Sequence, residues 1–343
     1  MSSNLVLGVL VAIVCGVGID FVGNNDGNHG QRRENMQLQN NSHSLPNKRS
    51  RNVWWELIRP HTLTAAFVPV LLGTVLALLQ GKMNFLLFAA MMVASILIQA
   101  ATNLFNEYYD YKRGLDTEES IGIGGGIVRH GMAPKLIMTL ALCMYGISLI
   151  LGIYICVSSS WWLAAVGSVC MFVGYLYTGG PLPISSTPFG ELLSGLFMGF
   201  LIILVAFFIQ TGYVSNLVVL VAIPSGILVG LINLSNNLRD HDGDKDNGRK
   251  TLPILLGPKR SIYFLGIMFA FSYLWLVGLV VIGIVTPWIL LAFLSIPKAV
   301  QSTKGFIGRT VPITMMPAMK ATAQVNTFFG LLMAIGLCIG YFM

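Results

Sequence analysis

The chain has 343 residues, of which 55% are hydrophobic and only 10% are charged, and it carries a formal net charge of +7. An ordinary soluble domain has roughly 25% charged residues, so a soluble fold of this length could not cover its surface. The composition therefore excludes a soluble globular protein, and it indicates helices of about 20 apolar residues that cross a lipid bilayer.

Nine apolar runs are long enough to span a bilayer. Trp and Tyr often lie near the ends of these runs, where an amphipathic ring suits the headgroup region. The predicted fold is thus an all-α polytopic membrane protein with nine helices. In chain order, the predicted spans are 62–80, 84–109, 135–157, 160–178, 189–211, 216–238, 260–283, 286–302 and 320–342.

A weaker apolar run at 5–22 precedes the nine spans. It lacks the positively charged start of a signal peptide, and both a tenth span and an extension without functional weight are compatible with it. Residues 23–50 have the polar composition of a solvated linker. We therefore predict an N-terminal extension, 1–50, and a transmembrane domain, 51–343.

Every Lys and Arg except Lys82 lies before the first of the nine spans or in the loops after spans two, six and eight. The positive-inside rule explains this placement without a nucleic-acid partner. We expect these loops to be cytoplasmic, with the C-terminus outside the cell membrane. The five Cys lie within apolar runs without a CxxC pair, so nothing indicates a zinc site.

The helix ends before the long loops after spans two and six contain an internal repeat. Intervals of three and four residues place each copy on one face of a helix. Polar groups in a membrane helix are costly unless they face a partner or a wet cavity, so the two faces should meet. The repeated residues are, in the first copy, Asn103, Asn106 and Asp110 and, in the second, Asn233, Asn236 and Asp240.

Most of the 14 acidic residues lie in or beside these two regions. Crowded carboxylates repel one another unless cations neutralise them, and Mg²⁺ typically bridges one or two carboxylates to a substrate phosphate. We therefore predict a Mg²⁺-bound diphosphate at the membrane surface. The basic residues that would hold its other oxygens are Lys112, Arg113, Arg129, Arg239, Arg249 and Lys250.

A polyprenyl diphosphate suits such a site, because its charged head fits the membrane surface and its hydrocarbon tail fits the apolar interior. A single charged loop would most often be a solvated surface, but its repetition in both halves argues against that interpretation. A cation transporter is a further alternative. It would need ionisable residues along a path through the bilayer, and spans three, four, seven, eight and nine have none at mid-depth.

Four stretches resemble the UbiA superfamily of intramembrane prenyltransferases and, within it, the 1,4-dihydroxy-2-naphthoate polyprenyltransferases (MenA). The likeness extends over about 54–343, and the second and fourth stretches are specific when found together. The stretches are RPHTLTAAFVPVLLGT at 59–74, NLFNEYYDYKRGLDTEESIGIGGGIVRHGM at 103–132, YTGGPLPISSTPFGELLSG at 177–195 and NNLRDHDGDKDNGRKTLPILLG at 236–257.

The resemblance implies a nine-helix bundle around a central cavity that is open to lipid, with two Mg²⁺ ions. In this sequence Asp116 follows Asp110 at a wider spacing than in most relatives, and Glu107 stands where Asp is frequent. The metal ligands implied are Asn106, Asp110, Asp116, Asp240 and Asp244.

The resemblance also implies an acceptor, 1,4-dihydroxy-2-naphthoate, whose carboxylate is replaced by the prenyl group to give a demethylmenaquinone. Another aromatic acceptor, 4-hydroxybenzoate or homogentisate, is an alternative that would keep the metal site. The predicted catalytic residues are Asp110, Asp240, Arg129 and Tyr177. The predicted substrate-binding residues are Asn103, Asn106, Lys112, Arg239, Lys250 and Asn236. For Asn103 and Asn233, hydrogen bonding between helices is equally compatible with the sequence.

Overall fold

The computed structural model describes residues 53–116 and 125–343. Every regular element within these ranges is a helix. The apolar run predicted at 5–22 lies outside the described residues. The division into an extension and a transmembrane domain therefore stays a prediction.

Twelve α-helices follow one another along the described part of the chain. They are α1 (Val53–Ile58), α2 (Pro60–Leu78), α3 (Phe85–Lys112), α4 (Pro134–Ser158), α5 (Trp162–Leu176), α6 (Gly190–Thr211), α7 (Asn216–Arg239), α8 (His241–Asp246), α9 (Leu252–Leu256), α10 (Pro258–Val281), α11 (Ile296–Phe306) and α12 (Pro312–Phe342). Seven of these described helices are long and apolar enough to cross a membrane, namely α2, α3, α4, α6, α7, α10 and α12. The chain is a multi-pass membrane protein, and the predicted all-α fold is confirmed.

The two remaining predicted spans are helical but shorter or less regular. The span predicted at 160–178 is the 15-residue helix α5. The span predicted at 286–302 begins as a 3₁₀-helix, Pro287–Ser295, and continues as α11. Pro297 lies at this junction and has no N–H to donate, which favours a break between the two parts.

Helices α6 and α7 approach each other closely through glycine. A Cβ atom added at Gly199 would lie 2.6 Å from the Cα of Gly226, and one added at Gly195 would lie 2.5 Å from the Gly226 carbonyl oxygen. The turns of α6 at Gly195–Phe200 widen into a π-helix at this contact. Small residues permit such close packing of membrane helices. The contact holds the start of α6 beside α7, which carries the second copy of the repeat.

Candidate functional site

The two acidic regions meet at one arginine. Arg249 donates from Nη2 to Asp110 Oδ1 and from Nη1 to Asp244 Oδ1, and both donor–acceptor distances are 3.0 Å. The three side chains are only 15%, 21% and 11% exposed, in the order Arg249, Asp110, Asp244. Asp110 ends the first copy of the repeat and Asp244 follows the second. The structure thus brings both regions to the same end of the helix bundle.

The environment of these carboxylates favours a bound cation. Burial raises the pKa of Asp244 to about 7, although the nearby Arg249 lowers it, and burial together with the charge of Asp110 raises the pKa of Asp116 to about 6. Burial would lower the pKa of Arg249, but the carboxylates of Asp244 and Asp110 raise it above its ordinary value. Ionisation of these buried carboxyl groups is therefore unfavourable, and a bound cation would lower its free-energy cost.

Asp240 is paired with its neighbour in sequence. Arg239 donates from Nε and Nη2 to the two carboxylate oxygens of Asp240, at 2.6 and 2.5 Å. The Arg239 side chain is 7% exposed, and its Nη1 also lies 3.6 Å from the sulfur of Met316 on α12. Such a two-point pair fixes the direction of the carboxylate. Arg239 therefore binds and orients Asp240, and its guanidinium is not exposed to solvent.

Asn103 makes hydrogen bonds between helices, which is one of the two roles that are compatible with the sequence. Its Nδ2 donates to the Ile58 carbonyl oxygen at 2.6 Å and to Thr62 Oγ1 at 2.9 Å. These bonds fix the junction between α1 and α2, where Arg59 has a left-handed backbone with φ of 53°. Asn103 thus holds Arg59 in place, and it also lines the central cavity.

Asn233 and Tyr177 lie together on the cavity wall. A Cβ atom added at Gly190 would lie 3.4 Å from Asn233 Nδ2 and 3.5 Å from the Tyr177 hydroxyl. The Asn233 Nδ2 atom is buried and has no hydrogen-bond partner among the residues that the structure describes. This pair therefore offers polar groups to a ligand in the cavity.

The cavity has a volume of about 310 Å³ and is lined by helices α2 to α7. Its apolar part extends to Met91 in the first half of α3 and to Trp161, which precedes α5. The polar residues at the opposite end include Arg59, Asn106, Tyr177, Asn233 and Asn236. A ligand that fits this shape has a polar head beside the acidic regions and a long apolar tail.

The side chains at the polar end fit a magnesium diphosphate. Two oxygens, Asn106 Oδ1 and Asp244 Oδ2, are buried without a hydrogen-bond partner in the described part of the chain, and so are two donors, Arg59 Nε and Arg249 Nε. No three His, Cys, Asp or Glu side chains within residues 53–116 and 125–343 form a metal cage. Mg²⁺ does not need one, because it keeps several waters and shares substrate phosphates. The oxygens suit the metal, and the donors suit phosphate oxygens.

The other predicted site residues are more peripheral. Lys112 and Lys250 are exposed, although the Lys250 backbone N–H donates to the Ser186 carbonyl oxygen at 2.9 Å. Arg113 instead ties α3 to the loop before α6, because its Nη2 donates to the carbonyl oxygens of Thr178 and Gly180 at 2.6 and 3.0 Å. The loop between α5 and α6 is thus attached to the segments that follow the two copies of the repeat.

Sequence reasoning missed Arg59 as a site residue. It appears in the sequence only as a basic residue before the first span, yet it lines the polar end of the cavity. The sequence feature that could have identified Arg59 as a site residue is its position at the start of the stretch RPHTLT.

Comparisons with known proteins agree with this architecture. The UbiA prenyltransferase family model matches residues 66–304. The chain is 58% identical over 309 residues to 1,4-dihydroxy-2-naphthoate octaprenyltransferase of Bacillus subtilis (strain 168), which covers 90% of this chain and 99% of that relative.

Two solved structures share the fold. A UbiA homolog from Archaeoglobus fulgidus bound to GPP and Mg²⁺ has a TM-score of 0.58 at 16% identity, over 82% of this chain and 99% of the other. The apo structure of a UbiA homolog from Aeropyrum pernix K1 has a TM-score of 0.59 at 15% identity, over 82% of this chain and 98% of the other. Together with the family match and the 58% identity, these structures establish that the chain belongs to the UbiA prenyltransferase family.

Proposed function

We propose that this protein transfers a polyprenyl group from a polyprenyl diphosphate to 1,4-dihydroxy-2-naphthoate, with loss of CO₂, to give a demethylmenaquinol, the hydroquinone form of a demethylmenaquinone. The observation that carries the proposal is the cavity, which joins an apolar channel to a polar end beside Asp110 and Asp244. The 58% identity to a naphthoate octaprenyltransferase supports the choice of acceptor.

The chain's own residues would bind the diphosphate at the polar end. Asn106, Asp110, Asp116, Asp240 and Asp244 are the proposed ligands of Mg²⁺. When bound, Mg²⁺ stabilises the negative charge of the leaving diphosphate as a Lewis acid. Arg59 and Arg249 each have a buried Nε without a partner among the described residues, and these N–H groups would donate to phosphate oxygens.

The acceptor would lie between the diphosphate and the Tyr177–Asn233 pair. In the reaction the allylic C–O bond breaks and the diphosphate leaves, while a C–C bond forms at the ring carbon that bears the carboxylate. The C–CO₂ bond then breaks, and its electron pair returns to the ring. Asn233 Nδ2 and the neighbouring Tyr177 hydroxyl are placed to donate to acceptor oxygens, because both lie together on the cavity wall. The apolar cavity walls exclude water from the allylic cation.

The sidedness follows from the basic loops. Asp110 and Asp244 share Arg249, so they face the same membrane surface. The positive-inside rule places that surface in the cytoplasm and the C-terminus of α12 outside the cell membrane.

The test uses the purified full-length protein in lipid nanodiscs with Mg²⁺, a radiolabelled polyprenyl diphosphate and one aromatic acid at a time. We expect the naphthoate to give labelled product and an equal amount of CO₂, with kcat/KM at least about 100-fold above that for 4-hydroxybenzoate or homogentisate, or roughly 2.7 kcal/mol. Equal or better use of either alternative acid would contradict the naphthoate assignment.

A further inference from the structure

Glu107 is a buried carboxylate beside the site, and backbone N–H groups surround it. Both of its oxygens accept from the Gly125 N–H at 2.9 Å, and Oε1 also accepts from the Ile127 N–H at 3.2 Å. The residue is 1% exposed. Charged acceptors form strong hydrogen bonds with backbone N–H groups, so this carboxylate fixes the position of the chain at Gly125 and Ile127.

The segment that Glu107 holds is a compact turn. The Arg129 N–H donates to the Gly125 carbonyl oxygen at 2.7 Å, and the Gly131 N–H donates to that of Ile127 at 3.1 Å. Ile127 is 6% exposed and packs in a cluster with Leu57. Hydrogen bonds and apolar packing therefore make the turn a rigid support for the side chain of Arg129.

The Arg129 guanidinium packs directly over Gly125. Gly125 has a φ of +92°, and a Cβ atom added there would overlap the guanidinium. From this position the positive charge of Arg129 acts on the carboxylate of Asp116. A line of contacts thus leads from Glu107 through the Gly125 backbone to Arg129, whose positive charge lies near the Asp116 carboxylate.

We infer that Glu107 is a positioning residue that, through the Gly125–Ile127 backbone, sets Arg129 to bind the diphosphate, and that Glu107 is not a metal ligand. The inference rests on the proposed prenyl diphosphate substrate. Two backbone N–H groups make three hydrogen bonds to the carboxylate oxygens, and their positive ends oppose the approach of a cation. The matching position in the second copy is Asn237, which donates to Glu191 at 2.8 Å, so the repeat does not require a carboxylate here.

The test compares Glu107→Ala, Glu107→Gln and Asp110→Asn in the full-length protein. Binding of a polyprenyl diphosphate is measured by calorimetry in Mg²⁺, and binding of Mn²⁺ alone is measured by paramagnetic resonance. Because no aromatic acceptor is present, an error in the acceptor assignment does not affect either measurement.

We expect Glu107→Ala to weaken diphosphate binding about tenfold or more, and Glu107→Gln to restore it to within about threefold of wild type. The Gln Oε1 atom can still accept from both backbone N–H groups. Neither variant should change Mn²⁺ affinity more than about twofold, whereas Asp110→Asn should weaken it about tenfold. Weakening of Mn²⁺ binding by Glu107→Gln to the extent seen in Asp110→Asn would overturn the inference.

A double-mutant cycle shows whether Glu107 acts through Arg129. If it does, the effects of Glu107→Ala and Arg129→Ala on diphosphate binding are strongly non-additive. Additive effects would overturn the inference. If Glu107→Ala does not fold, Glu107→Met replaces it in the cycle, because it keeps most of the side-chain volume but removes the carboxylate oxygens that accept from the backbone N–H groups.

Discussion

The two copies of the repeat have the same polar residues but different surroundings. In the first copy, Asn103 donates to the Ile58 carbonyl oxygen and to Thr62, so its amide supports the helix junction. In the second copy, the amide nitrogen of Asn233 has no partner among the described residues and faces the cavity. The same residue type therefore braces the bundle in one half and offers a donor to a ligand in the other.

The aspartates differ in the same way. Asp110 is bound by Arg249, which follows the second copy, whereas Asp240 is bound by Arg239 of its own copy. Asp240 is also more exposed, at 38% against 21% for Asp110. A shared sequence pattern has thus placed the two groups at one end of the bundle, while the surrounding residues decide the role of each.

The largest effect is expected from removing either aspartate charge. Asp110→Asn and Asp240→Asn should each lower kcat by about 100-fold or more, because each carboxylate supports the metal that stabilises the leaving diphosphate. Turnover is measured at saturating Mg²⁺ with labelled polyprenyl diphosphate. Equal losses would make the two copies equivalent in catalysis despite their different partners, and wild-type turnover in either variant would contradict the metal site.

The matched control is Asp242→Asn. Its side chain is 80% exposed, and it pairs with His241, whose own side chain is 13% exposed. The substitution removes one negative charge from α8, close to Asp240 in sequence, and kcat should stay within about twofold of wild type.

A smaller effect is expected at the arginine that joins the two regions. Arg249→Gln removes a cation that competes with the metal for Asp110 and Asp244. The affinity for Mn²⁺ without substrate should therefore rise about tenfold, or roughly 1.4 kcal/mol. Lys245→Gln, which removes an exposed positive charge from α8, is the control and should change it less than twofold. Weaker Mn²⁺ binding in Arg249→Gln would show that Arg249 organises the carboxylates and does not compete for them.

The smallest effect is expected from the two asparagines. Asn103→Ala should lower the free energy of unfolding by about 1 kcal/mol, because the Ile58 carbonyl oxygen loses its donor. Asn233→Ala should leave the unfolding temperature in detergent unchanged and raise KM for the aromatic acceptor about threefold to tenfold. The reverse pattern would contradict the division of roles between the copies.

Much of this architecture could be predicted from the sequence. The apolar runs predicted the order of the helices, and the spacing of Asn103, Asn106 and Asp110 predicted one polar face on α3. The matching pattern on α7 predicted that two polar faces would meet. Short-range periodicity carries this information, because it is set by helix geometry alone.

The hydrogen-bond partners could not be predicted in the same way. Arg249 reaches Asp110 across 139 positions of the chain, and Asn103 binds a backbone carbonyl 45 positions away. Any residue can supply a carbonyl oxygen, so no side-chain pattern marks it. Which repeated group braces the fold and which faces the ligand therefore depends on packing that the pattern does not contain.

Arg59 shows how the enzyme combines support and reactivity at one residue. Among the described residues it alone has a positive φ without being glycine, a conformation that costs about 1–2 kcal/mol in a residue with a Cβ. A glycine there would relax the backbone but remove a guanidinium from the cavity mouth. Selection for a more durable membrane protein and selection for a faster enzyme would consequently favour opposite changes at this one position.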